Sequence, residues 1–197
     1  MNDATRTRQD QIRQILETSI AHESLYVCYQ AQTRLADQQL VGLEALCRLN
    51  ESDLGKLVPD EFIPVAEATG LIIPLEKLVL EQVKNDLPLL LAQHPEIRIS
   101  VNLSTRHITT PGFFPFIQHW LDSLPTLAVP QLDFEITETS FHHFSETDIE
   151  GLKQLRVRGT RIVMDDFGSG QSSLSRLHTL PFDTIKLDKK FAQQMTH

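Results

Sequence analysis

The 197-residue sequence carries 18 Lys and Arg against 26 Asp and Glu, a formal net charge of −8, with 41% hydrophobic residues. That length suits one domain, or most of one, with a substantial buried core, and the negative balance argues against diffuse attraction to duplex nucleic acid. Cys28 and Cys47 each lie inside an apolar run, with neither the density of a disulfide framework nor the paired spacing of a zinc site, so they read as reduced core residues of a cytoplasmic protein.

Ile12, Ile15, Leu16 and Ile20 recur at helical spacing and predict an amphipathic helix through about Ser19. The opening "MNDATRTRQDQ" is too polar for a signal peptide, and no apolar run in the sequence reaches the length of a membrane span. Two strands are predicted next, "LYVCYQ" and "QLVGLEALC". "PDEFIPVAEATG" then has the Pro-Asp start and Gly stop of a helix, and a long helix is expected from about Pro74 to Gln93. Strand and helix alternate from there: "RISVNLS", a helix near Phe113 to Ser123, "QLDFEITE", a helix near Glu146 to Arg158, "RIVMDD", a short helix near Ser172 to His178, and "TIKLD". Strands separated by helices imply parallel pairing through crossovers. With no repeat, linker or low-complexity tract, residues 1–24 read as a helix leading into one domain over 25–197.

The faces of the strands say more than their order. Ile99, Val101 and Leu103 oppose Ser100, Asn102 and Ser104, while Leu132, Phe134 and Ile136 oppose Asp133, Glu135 and Thr137. Ile185 and Leu187 likewise oppose Lys186 and Asp188. Strands of an open doubly wound sheet are apolar on both faces. Strands that are apolar outward and polar inward instead fit a (β/α) barrel, whose site gathers residues from the C-terminal ends of several strands.

Glu44, Asn102, Glu135, Asp165 and Asp166 are then the candidates for that site, with Lys186 and Arg48 as its cations. Hard oxygen donors suit Mg²⁺ or Mn²⁺ and are poor for zinc. Carboxylates crowded into one pocket repel unless positive charge lies between them, and a metal pair about 4 Å apart would supply it while activating a water for attack on a phosphodiester. Taken singly, each residue could be a solvated strand cap or a surface charge; their sharing one face of four strands favours a site. His142 and His143 are adjacent in a loop, and His94, His107, His119 and His178 are scattered, so structural or exposed roles are expected for them. "SGQSS" lacks the GxSxG of a nucleophile elbow, which argues against a serine hydrolase.

The ordered blocks "VGLEALCRL", "PDEFIPVAEATGLI", "VNLS", "FEITET", "DDFGSGQSSL" and "LPFDTIKLDKKF" resemble the EAL-domain family of cyclic di-GMP phosphodiesterases, with Glu44-Ala45-Leu46 as the naming tripeptide. The resemblance runs from about Leu25 to Phe191. It implies an α/β fold, a TIM-like barrel that hydrolyses cyclic di-GMP to linear pGpG with two Mg²⁺ or Mn²⁺ ions. Carried over by position, Glu44, Asn102, Glu135 and Asp165 match ligands of a first metal, with Asp165 bridging to a second that Asp166 also binds. Lys186 matches the residue that orients or helps deprotonate the attacking water. Gln30, Leu46, Arg48, Asn102, Glu138 and Asp188 are the substrate-binding candidates, with Arg48 suited to a phosphate oxygen. Glu138 and the "DFGSG" loop match a segment supporting the metal site and a homodimer interface.

Two departures qualify this. Ala31 stands where the family commonly has Pro, and the sequence reaches His197 without the last two strands, one of which carries a Glu ligand of the second metal. About six of eight strands are therefore expected, with an exposed sheet edge. The alternative function is a catalytically impaired module acting as a cyclic di-GMP receptor or protein-interaction regulator. No receiver, PAS or GGDEF-like segment is read in the sequence, so its sensory input is left open, with a sensory domain fused in a longer protein as one candidate partner.

Overall fold

The computed structural model describes residues 3–50, 54–168 and 180–188. Helix α1 (Asp3–Ala21) leads into β1 (Leu25–Thr33) and β2 (Leu40–Leu49), followed by α2 (Pro59–Thr69) and α3 (Ile72–Gln93). Then come β3 (Arg98–Asn102), α4 (Thr105–Ile108), α5 (Phe113–Asp122), β4 (Leu132–Thr137), α6 (Glu146–Val157), β5 (Arg161–Phe167) and β6 (Thr184–Leu187). Among the described residues no helix is long and apolar enough to cross a membrane.

The helix ends follow local chemistry. Gly70 closes α2 at φ +83°, a left-handed conformation that costs glycine little, and so supplies the stop the sequence predicts. Ser145 opens α6: its Oγ accepts from Asp148 N at 3.2 Å, while Asp148 Oδ2 accepts from Ser145 N at 2.9 Å. Ser145→Ala is expected to cost about 1 kcal/mol, measured as a fall of about 2–4 °C in the thermal midpoint. Ser104 caps α4 by accepting from Arg106 N at 3.2 Å, without a reciprocal bond, and turns the chain just after Asn102. The strand read from the sequence as far as Ser104 therefore ends two residues earlier.

The six strands form one sheet in the order β1-β2-β3-β4-β5-β6. β1 and β2 pair antiparallel, because residues 34–39 make only a tight turn between them, and every later neighbour is parallel, with helices in the crossovers from β2 to β3, β3 to β4 and β4 to β5. Ile99, Val101, Leu132, Phe134, Ile136, Ile162 and Met164 are buried outward. They pack with helix residues such as Leu80, Leu87, Ile117 and Leu152 in one core, where the Trp120 and Phe134 rings lie 6.5 Å apart. The outer sheet face is thus the apolar one, as the alternation predicts. Ile12 and Leu16 anchor α1 in the same core.

A side-chain contact shows that this sheet is curled. β2 and β6 are four places apart in the order, roughly 19 Å across a flat sheet at the usual strand spacing, which is farther than a lysine and a glutamate can span. Yet Lys186 Nζ on β6 lies 2.8 Å from Glu44 Oε2 on β2. The array is most of a TIM-like (β/α) barrel, with about six of the eight strands expected of a complete one.

Three expectations need correction or limits. Cys28 is exposed, not a core residue, because β1 alternates and buries Leu25 while turning Tyr26, Cys28 and Gln30 to the polar side of the sheet. Cys47 is half-buried, and both thiols are free. Ile185 and Leu187 are exposed. The helix predicted near 172–178 lies outside the described residues.

Candidate active site

Strand register staggers the inward residues, stepping by two positions between Glu44 and Asn102 and again between Glu135 and Asp165, as the tilted strands of a barrel require. Gln30 pairs with Glu44 across β1 and β2, Glu44 with Ser100 across β2 and β3, Asn102 with Glu135 across β3 and β4, and Thr137 with Asp165 across β4 and β5. Side chains then close the ring. Asn102 Nδ2 donates to Glu44 Oε1 at 3.0 Å, and Lys186 Nζ donates to Glu44 Oε2 at 2.8 Å and to Glu135 Oε2 at 2.6 Å. Four of the predicted site residues, from four strands, are in direct contact.

The electrostatics follow from burial. Glu135 is 1% exposed, and burial pushes its carboxyl up to about 7, against the pull of Lys186 and with a further push from Glu44. Burial alone would lower the Lys186 ammonium, but Glu135 and Glu44 outweigh it and hold the group above its ordinary value. Two carboxylates thus share one ammonium, leaving the ring net negative. Glu135 Oε1 is buried without a hydrogen-bond partner, an acceptor in need of a cation or donor.

Asp165 and Asp166 sit where the pairing of β5 with β6 shifts register between Met164 and Phe167. Asp166 takes φ +56°, uncommon for a residue with a side chain, and the irregularity re-aims consecutive side chains that a regular strand would send to opposite faces. Burial raises the Asp166 carboxyl, and Asp165 and then Asp188 raise it further, while Lys186 and Glu44 also act on it. The second carboxylate therefore belongs to the same electrostatic cluster. Just beyond it, Gly168 N donates to the buried Glu138 Oε2 at 2.8 Å, tying the start of the "DFGSG" loop to the end of β4. Residues 169–179 of that loop lie outside the described residues.

The remaining candidates flank the ring on β1, on β2 and just after β6. Arg48 is two inward positions beyond Glu44 on β2, with Nη1 donating to Cys47 O at 2.8 Å, and Leu46 lies between them. Gln30 is exposed beside Glu44, and Asp188 N donates to Phe167 O at 3.1 Å. A cavity of about 550 Å³ opens next to the ring, lined among others by Asn102, Glu135, Thr137, Arg106 and His143. Among the described residues no three Asp, Glu, His or Cys side chains already stand as a metal cage. Lys186, between Glu44 and Glu135, is what separates those two carboxylates.

The inward face continues to the opposite end of the strands, and there it does different work. Asp133 is read from the sequence beside Glu135, yet its carboxylate accepts from Arg98 Nε at 2.8 Å and from Arg161 Nη2 at 2.8 Å. It closes the N-terminal end of the sheet and takes no part in the ring. A second polar group was not legible in the sequence. Glu76 on α3 is 6% exposed and meets His107, itself 2% exposed, at 2.7 Å. The available signal was a carboxylate on a helix face otherwise buried through Ile72, Leu75, Val79 and Leu80, which demands a partner.

The EAL domain family matches residues 13–197. An uncharacterized signaling protein of Caulobacter vibrioides is 38% identical over 99% of this chain and 24% of its own length. The probable cyclic di-GMP phosphodiesterase PdeB of Escherichia coli is 35% identical over 92% of this chain and 35% of its own length. The chain thus spans between 24% and 35% of these curated relatives. Among solved structures, the PaMucR phosphodiesterase in complex with c-di-GMP matches with a TM-score of 0.85 at 30% identity, covering 95% of this chain and 76% of that one. With the tripeptide Glu44-Ala45-Leu46 carrying the carboxylate at the centre of the ring, the chain belongs to the EAL domain family.

Proposed function

We propose that this chain is the hydrolytic module of a cyclic di-GMP phosphodiesterase, opening the cyclic dinucleotide to linear pGpG. The observation that carries the reading is the convergence of Glu44, Asn102, Glu135 and Lys186 from four strands around a buried, unpartnered Glu135 Oε1. The donor set fits Mg²⁺ or Mn²⁺, being all oxygen and net negative. Glu44, Asn102, Glu135 and Asp165 would hold one ion, and Asp165 with Asp166 a second. Bound there, the ions supply positive charge to the phosphodiester and lower the pKa of the attacking water.

The chain's own residues do the rest. Lys186 Nζ, already donating to both carboxylates, orients the attacking water. Arg48 offers a planar fork to the phosphate, Leu46 an apolar wall, and Gln30, Glu138 and Asp188 frame the dinucleotide. Residues 1–24 lead into the catalytic domain over 25–197. The greater length of the curated relatives supports a fused sensory domain, and the loop after Asp166 would support a homodimer.

A second reading, a receptor that binds without hydrolysis, draws on the Lys186 ammonium, which balances Glu44 and Glu135 without any metal. One experiment separates the two. The chain is incubated with cyclic di-GMP and Mg²⁺ or Mn²⁺, and pGpG is quantified by chromatography; release that stops in chelator is the expected result. Absence of pGpG with either metal, together with equal nucleotide affinity in chelator, would overturn hydrolysis in favour of the receptor.

A further inference from the structure

The Glu76–His107 pair touches the ring through the backbone. Glu76 Oε1 accepts from Ser104 N at 2.6 Å while Oε2 faces His107 Nδ1 at 2.7 Å. His107 is itself wedged edge-on against Phe113, with ring centres 4.9 Å apart. On the other side of the same turn, Leu103 N donates to Glu135 O at 2.9 Å. The end of β3 is thus gripped from both sides, by β4 through Glu135 and by α3 through Glu76. Asn102, one residue before that grip, is exposed and reaches Glu44 with a single hydrogen bond. Its position therefore depends on where its backbone is held.

We propose that Glu76, braced by His107, is a positioning residue of the metal site: by accepting the Ser104 amide it fixes the end of β3 and keeps Asn102 in place against Glu44. This rests on the reading of Asn102 as a metal ligand given above. Leucine at position 76 would suit the buried face formed by Ile72, Leu75, Val79 and Leu80. It would leave the Ser104 amide without its acceptor, however, at the cost of an unpaired donor. Glutamine would keep the bond, since Oε1 accepts from the amide and Nε2 donates to the imidazole.

The test compares the full chain with Glu76→Gln, Glu76→Leu, Ser104→Ala and Ser104→Pro. Ser104 has φ −74°, which proline adopts, so Ser104→Pro removes the amide hydrogen while Ser104→Ala removes only the hydroxyl. Hydrogen exchange at residue 104 is followed by NMR and Mn²⁺ affinity by electron paramagnetic resonance. Glu76→Leu is expected to speed Ser104 exchange and to weaken Mn²⁺ binding about tenfold, as loss of a partner behind a ligand does. Glu76→Gln should restore both. Ser104→Pro should lose Mn²⁺ to the same degree, beyond any effect of Ser104→Ala, which keeps the question answerable if Glu76→Leu does not fold. Wild-type Mn²⁺ affinity in Glu76→Leu or Ser104→Pro, or Glu76→Gln as impaired as Glu76→Leu, overturns the proposal. A wild-type chain that binds no Mn²⁺ overturns it together with the ligand reading. A chain that binds Mn²⁺ with these dependences yet releases no pGpG upholds the positioning role and overturns hydrolysis instead.

Discussion

Lys186→Ala is expected to reduce pGpG release about 10³-fold, the scale on which a positioned proton-handling group contributes. The ammonium is the shared partner of Glu44 and Glu135, so its removal takes away the donor proposed to orient the water and leaves two carboxylates facing each other. Glu135 is fully buried at its side chain, while Lys186 is 27% exposed, so water softens the loss. The stability cost should be about 2 kcal/mol, below the range for fully buried pairs. A domain with ordinary stability survives that loss. Turnover measured beside circular-dichroism melts tests both parts: an inactive, cooperatively melting variant is expected. An unchanged rate would remove Lys186 from the chemistry, and a chain without a folded baseline would make it structural. Glu44→Ala should behave alike in turnover, because Glu44 contacts both Asn102 and Lys186.

The second large effect is expected at the other end of the strands. Asp133→Ala should cost about 3 kcal/mol, the low end of the range for breaking a buried pair, because Arg161 is 40% exposed and retains some hydration. Arg98 would keep its bonds to Pro130 O and Leu132 O but lose its carboxylate. For a chain of this size the thermal midpoint should fall by roughly 6–12 °C. The folded fraction should hydrolyse cyclic di-GMP at the wild-type rate, since Asp133 stands two residues below Glu135 on the same strand. A turnover defect per folded molecule would contradict the division between a stabilising N-terminal end and a chemical C-terminal end.

Period-two alternation made much of this legible. It placed Asn102, Glu135 and Lys186 on one face and Ile99, Phe134 and Ile136 on the other, and the structure keeps those assignments. Alternation alone has no information about height along a strand; the expectation that a barrel's site lies at the strands' C-terminal ends is what singles out Glu135 over Asp133, and the structure pairs Glu135 with Lys186 and Asp133 with Arg161. Nor does it anticipate an irregularity, so the register shift that brings Asp166 into the charge cluster of Asp165 appears only in three dimensions. Cys28 misled because an apolar neighbourhood in sequence is shared between both faces of β1. Glu76 and His107 are 31 residues apart on different helices, and their pairing has no local signature.

The direction of β1 has one more consequence. In an all-parallel array the chain would enter its first strand at the end remote from Asn102 and Asp165. Because β1 runs the other way, Leu25 pairs with Leu49, and Asn50 Nδ2 donates to Ser24 O at 2.6 Å. The junction of α1 with the sheet therefore lies at the rim where β2 ends, two residues from Arg48. The helix that introduces the domain and the side chain proposed to meet a phosphate are moored to one short length of backbone.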